Sequence, residues 1–251
     1  MGKESDMSWF AMQTQERNVR AGLVKPCNDC AVREYSVCAP LEPAEQVRVT
    51  QIMTQIDAAD GATIFDETDP ADHVFNITSG AVKVYKLLPD GRRAITGFLF
   101  PGDFLGLTHR DAYAFSAEAL TQTKLCKFPR EKLERLLEEM PKLERRLLGL
   151  ASHELAAAQD QMLLLGRKTA KERLASFLAL LSNAARRHGK PGNPVDLPMG
   201  RSDIADYLGL TIETVSRTFT QLKRDGTIQL LDGNRVRLAN PEKLEELAGV
   251  M

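Results

Sequence analysis

RSDIADYLGLTIETVSRTFTQLKRDG, residues 201–226, is the stretch on which the fold turns. It reads as two short helices around one tight turn: a first helix through Leu208, a turn at Gly209, an N-cap at Thr211 and a second helix closed by Asp225 and Gly226. Ala205, Leu208, Leu210, Val215 and Phe219 fall where the two helices would pack together. The start of the second helix is polar instead, with Glu213, Thr214, Ser216, Arg217 and Thr218, several of them facing outward. Arg suits the O6/N7 edge of guanine, Glu accepts from cytosine N4–H and Ser serves either role, so this face is built of base-reading residue types. Beyond it, TIQLL and RVRLA flank Asp232-Gly233-Asn234 in the pattern of a two-stranded wing.

Working back toward the N-terminus, Thr169 and Glu172 have capping-box spacing and start a helix predicted to run to about Arg187; a Pro/Gly-rich connection, 189–198, follows it. Before it lies PKLERRLLGLASHELAAAQDQMLLLG, 141–166. Leu148, Ala151, Leu155, Ala158, Met162 and Leu165 recur there at alternating steps of three and four, the spacing that keeps one seam of a helix against a partner helix. Arg145, Arg146, Glu154, Gln159 and Asp160 flank a stripe narrower than globular packing wants, and Pro141 suits a first turn. The stretch is predicted to be a dimerisation helix, with a short helix over 130–139 ahead of it. From 60 to 128 the period falls to two. IFDE, HVFNIT, AVKVYKLL, RAITGFLF, AFSAEAL and TKLCKF read as short strands, broken by Asp69-Pro70, Ser79-Gly80, Pro89-Asp90-Gly91 and Pro101-Gly102-Asp103. Evenly spaced short strands predict a small antiparallel barrel or double-sheet roll.

A chain of 251 residues allows two domains with proper cores. Its net charge of −1 hides an asymmetry: residues 1–166 carry 19 Lys+Arg against 24 Asp+Glu, whereas 167–238 carry 13 against 7. A basic C-terminal part points to a polyanion partner. No run is apolar enough to span a membrane and the first 20 residues lack the apolar core of a signal peptide, so the expected location is the cytoplasm, with no membrane partner. There Cys27, Cys30, Cys38 and Cys126 stay reduced, which favours metal or redox use over disulfides. Residues 1–26 show no period and read as a loose arm. In CNDCAVREYSVCAP, 27–40, three cysteines stand as C-x2-C-x7-C; two thiolates so spaced can share a metal centre and the third can close over it, with a zinc knuckle or idle thiols as the other readings. Cys126 falls in the last strand, by position alone an inert core thiol, yet the other three leave a four-ligand site one short. Enzyme signatures are absent: His153-Glu154 opens like a zinc-protease motif, but position 157 is Ala, and no nucleophile elbow or phosphate loop occurs.

The order of β-roll, long helix and winged helix-turn-helix resembles the cyclic-AMP receptor/Fnr superfamily of transcription regulators over nearly the whole chain. Two details resemble its Fnr branch: the Glu-x-x-Ser-Arg signature at Glu213, Ser216 and Arg217, and a cysteine set like the ligands of the branch's oxygen-labile [4Fe-4S] cluster. The resemblance implies an α+β fold divided into a cysteine-bearing arm (1–40), an antiparallel β-roll sensor of the cyclic-nucleotide-binding kind (41–140), a dimerisation helix (141–167) and a winged helix-turn-helix (168–251). It implies a [4Fe-4S] cluster on Cys27, Cys30, Cys38 and Cys126, whose destruction by oxygen lowers activity. It further implies a homodimer on double-stranded DNA at an inverted repeat like TTGAT-N4-ATCAA, in contact with RNA polymerase partly through the hairpin at 86–92. Glu213, Ser216 and Arg217, with Thr211 and Thr214, are the expected base-side residues; Arg201 and Lys223, with Arg224, Arg167, Lys168, Lys171 and Arg173, are candidates for phosphate. A zinc- or thiol-redox-sensing regulator of the same fold is the alternative.

Three departures qualify that picture. Leu107 follows Gly106 where nucleotide-binding relatives place Glu, and Phe115-Ser116-Ala117 lacks their phosphate-binding Arg, so a cyclic nucleotide is not the expected effector. Haem would need an axial ligand, for which His73 and His109 are available but read as ordinary loop or strand residues. Relatives with a strict monomer–dimer switch carry a carboxylate in the seam; here every seam position from Leu148 to Leu165 is apolar, which predicts dimer even without a cluster.

Overall fold

The structure, a computed structural model, describes Cys27 and residues 29–249; the loose arm expected over 1–26 lies outside the described residues. A turn-rich segment leads to α1 (Pro43–Ile52), which has proline in its first turn. Sequence patterning missed this helix because two of its three buried residues, Gln46 and Thr50, are polar and only Val49 is not.

Eight strands follow: β1 (Thr54–Ala58), β2 (Thr63–Phe65), β3 (His73–Ser79), β4 (Val82–Leu87), β5 (Arg93–Leu99), β6 (Phe104–Leu105), β7 (Ser116–Ala119) and β8 (Thr123–Pro129). They make two antiparallel sheets in the orders β1-β8-β3-β6 and β2-β7-β4-β5. Phe75, Ile77 and Leu125 from one sheet and Phe65, Val82 and Ala117 from the other close a single apolar core, so the alternation over 60–128 does produce a double-sheet roll. The strands absent from the expectation are β1, largely exposed, and β6, only two residues long.

After α2 (Arg130–Glu139) comes α3 (Pro141–Arg167), 27 residues, about 40 Å of helix at 1.5 Å per residue. Its first turn is anchored by Leu143, buried with Leu133, Leu136, Met140, Phe128 and Val37. Its last turns are anchored by Leu164, which joins the C-terminal core. Between these anchors residues 151–160 are all exposed.

The C-terminal part contains α4 (Ala170–Arg187), β9 (Val195–Asp196), α5 (Arg201–Leu208), α6 (Ile212–Arg224), β10 (Ile228–Leu231), β11 (Arg235–Leu238) and α7 (Pro241–Ala248). The capping box at α4 forms as read, Glu172 N–H donating to Thr169 and Thr169 N–H to Glu172. Between α5 and α6 Gly209 holds φ +62°, the left-handed conformation that favours glycine, with Leu165 tucked against it. Ile204, Leu208, Val215, Phe219 and Leu222 pack the pair into one core. The wing gains a third strand, since β9 pairs with β11 to give the order β10-β11-β9.

This C-terminal part docks on the roll through α5. Lys83 of β4, with only 6% of its side chain exposed, pairs with Glu118 at 2.7 Å and Asp203 at 3.3 Å, while Arg93 of β5 reaches Asp203 at 2.9 Å and Asp206 at 3.2 Å. Phe98, Phe177 and Tyr207 pack beside them as mutually tilted rings with centroids 5.1 to 5.9 Å apart. The docking leaves α6 free on the opposite side of the pair: Glu213, Ser216 and Arg217 are exposed.

Candidate metal centre and nucleic-acid interface

The turns of 29–42 are pinned by their own side chains. Cys38 N–H donates to Ser36 Oγ at 3.2 Å, Ser36 Oγ donates to the Arg33 carbonyl at 3.1 Å and Arg33 Nη2 donates to the Leu41 carbonyl at 3.2 Å. This folded segment sets Cys27, Cys30 and Cys38 against the sheet that contains β8. Cys126 of β8 lies in register between Gln55 of β1 and Asn76 of β3. All four cysteines consequently line one cavity of about 250 Å³, together with Gln46, Asn76 and Phe128. The four residues named from sequence are thus brought together from stretches nearly ninety residues apart.

Burial pushes the thiols up, Cys27 to about 11 and Cys38 and Cys126 to about 12. Their mutual proximity adds to the rise, because each thiolate would face the charge of its neighbours. Such a set holds four thiolates only when a cation compensates them. No three of the described His, Cys, Asp and Glu side chains converge closely enough to hold a single ion. Four soft thiolates lining one cavity are a donor set that fits a [4Fe-4S] cluster, which takes one thiolate per iron, and zinc takes the same donors.

The same segment is tied to two other elements, through residues to which sequence reading gave no role. Arg146 of α3 donates its Nε to the Ser36 carbonyl at 3.1 Å and its Nη2 to the Tyr35 carbonyl, and Lys142 pairs with Glu42 at 2.9 Å. Tyr35 stacks on His188, at the end of α4, with ring centroids 5.3 Å apart. Charge alternation on α3 flagged Arg146 only as a flanking residue, since nothing in the sequence says that its partners are loop carbonyls 110 residues away.

On α6, Thr211 is the N-cap, its hydroxyl accepting from Thr214 N–H at 3.2 Å. Arg217 Nη2 donates to Thr214 Oγ1 at 3.2 Å, and Glu213's own backbone N–H, helped by the Thr211 hydroxyl, holds its carboxyl below the usual carboxylate range. Glu213, Ser216 and Arg217 therefore form one exposed polar face near the helix N-terminus. Thr218 does not share it: it is buried and donates its hydroxyl to the Thr214 carbonyl at 2.7 Å. Of the basic residues, Lys223 is exposed. Arg201 is half-buried with its guanidinium 3.3 Å from the Phe219 ring centroid, a stacking role. Lys168, Lys171 and Arg173 are likewise engaged within the chain: Lys168 with the Ala248 carbonyl, Lys171 with Asp225 at 2.6 Å, and Arg173 with the carbonyls of Leu208 and Leu165 that end α5 and α3.

The seam residues Leu148, Ala151, Leu155, Ala158, Met162 and Leu165 are all exposed on the single chain, Leu155 by 62% and Met162 by 72%. No described helix is long and apolar enough to cross a membrane.

Comparison with known proteins places this architecture. Residues 55–140 match the family model of the cyclic nucleotide-binding domain and residues 172–247 that of the Crp-like helix-turn-helix domain. The nitrogen fixation regulation protein FixK of Bradyrhizobium diazoefficiens is 44% identical over 222 residues, covering 88% of this chain and 93% of that protein. The transcriptional activator protein FnrL of Cereibacter sphaeroides is 38% identical over 227 residues, covering 89% and 92%. The solved structure of FixK2 from Bradyrhizobium japonicum superposes with a TM-score of 0.72 at 39% identity, covering 78% of this chain and 97% of that one. The chain belongs to the Crp/Fnr family of transcription regulators, and it is a DNA-binding regulator rather than an enzyme.

Proposed function

We propose that this regulator is an oxygen-responsive transcriptional activator of the cytoplasm, in which Cys27, Cys30, Cys38 and Cys126 hold a [4Fe-4S] cluster. The observation that carries the reading is the convergence of all four thiols, from the 27–38 segment and from β8, on one cavity. When bound, the cluster supplies an oxygen-labile tether between that segment and the roll. The rest is done by the chain. With the segment held, Tyr35 and Ser36 present their carbonyls to Arg146 and fix the start of α3, and the Tyr35 ring sits on His188 at the root of the DNA-binding part. Oxygen releases the segment, and both contacts lose their anchor. A two-state element of this kind is what a switch requires.

The exposed seam of α3 is the proposed homodimer interface, and pairing sets two copies of α6 about one turn of DNA apart, roughly 34 Å, over a repeat like TTGAT-N4-ATCAA. Glu213, Ser216 and Arg217 read base edges, with Thr211 and Thr214 setting their geometry, and Lys223 meets phosphate. RNA polymerase is met in part by the hairpin between β4 and β5, where Asp90 and Arg92 pair at 2.7 Å in the open; their replacement should remove activation in a reporter assay and leave DNA binding unchanged. The roll takes no part in reading a cyclic nucleotide on this account: Ser116 Oγ accepts from Glu67 N–H, Ala117 is core, and Leu107 and Phe115 are exposed apolar residues.

Single Cys→Ser replacements test the ligand set. Each should abolish iron and acid-labile sulfide binding under anaerobiosis and weaken binding to the repeat at least about tenfold. Native protein that carries zinc and no sulfide would overturn the sensing half and leave the DNA-binding half in place.

A further inference from the structure

Two side chains on the wall of the cysteine cavity have no structural explanation. Gln46 of α1 is 2% exposed and Asn76 of β3 is 3% exposed, yet Gln46 Oε1 and Asn76 Oδ1 have no hydrogen-bond partner. Both residues line the cavity of the four thiols. A buried amide oxygen left unpaired carries its full desolvation penalty, and an apolar side chain of similar size would fill the same wall without that cost. Asn76 is moreover the direct cross-strand partner of Cys126, on the same face with Cβ atoms about 4.5–5.5 Å apart.

The bound group must differ from the wall in its hydrogen-bonding character. Thiolates and inorganic sulfides only accept, so a cluster in this cavity needs donors. Most of the wall's other side-chain donors are committed elsewhere: Arg33 Nη2 to the Leu41 carbonyl, Ser36 Oγ to the Arg33 carbonyl, Thr50 Oγ1 to the Val47 carbonyl and Thr78 Oγ1 to the Lys124 carbonyl. Turning an amide end for end exchanges its oxygen for an NH2 group without changing its shape. Gln46 can present a donor in this way at the place now held by an unpaired acceptor, and Asn76 can do so by giving up the 3.4 Å bond that its Nδ2 donates to the Ile77 carbonyl.

We propose that Gln46 and Asn76 are positioning residues that donate hydrogen bonds to the sulfur atoms of the bound cluster and set its reduction potential. The proposal rests on the cluster reading above. N–H donors aimed at sulfur favour the more negatively charged reduced form, so losing them lowers the potential.

The test uses full-length protein reconstituted anaerobically with iron and sulfide, native and with Gln46→Met or Asn76→Leu. Each variant is expected to load the cluster to the native level, to show a lower midpoint potential for the one-electron couple, and to lose part of the shift that D2O exchange produces in the Fe–S stretching bands of the resonance Raman spectrum. Variants that load fully with native potential and native deuterium shift overturn the proposal, as does native protein whose bands do not respond to D2O. If an apolar variant fails to load, Gln46→His and Asn76→Ser return a donor to the same wall and must recover loading; failure of both overturns the proposal as well. Native protein that binds no cluster overturns the sensing reading itself, an outcome distinct from all of these.

Discussion

Arg217 and Lys223 stand on one helix, but their environments give them different work. Arg217 is held beside Thr214 on the face with Glu213 and Ser216, whereas Lys223 lies exposed in the last turn. Arg217→Ala should cost about 1–3 kcal/mol on the native repeat and relax preference at one base position. Lys223→Ala should weaken binding to every sequence alike and flatten the salt dependence by about one phosphate contact. Titration of binding against native and single-base variant repeats at several salt concentrations separates the two. A different residue governs pH dependence. Asp103 is half-buried near Glu154 and Arg187, and the loss of solvent around its carboxyl pushes it up to about 6 despite the hydrogen bond it accepts from Phe100 N–H at 2.7 Å. Its folded value lies above the unfolded value of about 3.9, so the folded state binds the extra proton between roughly pH 4 and 6 and loses stability as pH rises through that window. Asp103→Asn keeps an acceptor for Phe100 and removes the ionisable group. Denaturant unfolding of the two proteins should show the variant gaining about 2 kcal/mol relative to native between pH 4.5 and 7. The exposed face of Glu213, Ser216 and Arg217 was legible in the sequence because polar residues between apolar ones show which side of a helix faces out; Thr218 marks the limit of that rule, because a hydroxyl can be buried by bonding to its own helix.

Elements show where that legibility stops. The seam of α3 was readable as a heptad because its residues repeat, and the structure leaves those same residues uncovered over the middle of the helix. With no carboxylate at any seam position, cluster-free protein should sediment with appreciable dimer at micromolar concentration, and monomer alone would refute this. The contact between the cysteine segment and α3 was invisible, because it runs through Arg146 and two backbone carbonyls, and backbone acceptors carry no sequence signature. Arg146→Met should leave iron loading at the native level and make affinity for the repeat independent of air exposure. Unchanged oxygen dependence in that variant would show that the Arg146 contact does not carry the signal. The helix α1 escaped notice for a related reason: Gln46 faces inward, and an inward amide breaks the apolar period that marks a buried face.

In the whole molecule, the segment bearing three of the cysteines meets the roll, the long helix and the root of the DNA-binding part at once, through Cys126, Arg146 and His188. Two fold units and the helix between them were legible from periodicity, turn residues and charge asymmetry. Their docking was not, since Lys83, Arg93, Asp203 and Asp206 are ordinary surface charges until the fold brings them within 3.3 Å of one another. That docking leaves Glu213, Ser216 and Arg217 of α6 exposed, and under the proposed function a change at the cysteine segment would reach the DNA-binding part through the Tyr35–His188 contact. The measurement that tests this account most directly follows one anaerobically purified sample during exposure to air, recording visible absorbance, iron and sulfide content, and affinity for the inverted repeat together. The expected result is a brown protein with about four irons per chain, whose absorbance and DNA affinity fall with the same time course. A colourless protein, or one whose affinity for the repeat stays constant while the colour is lost, would contradict it.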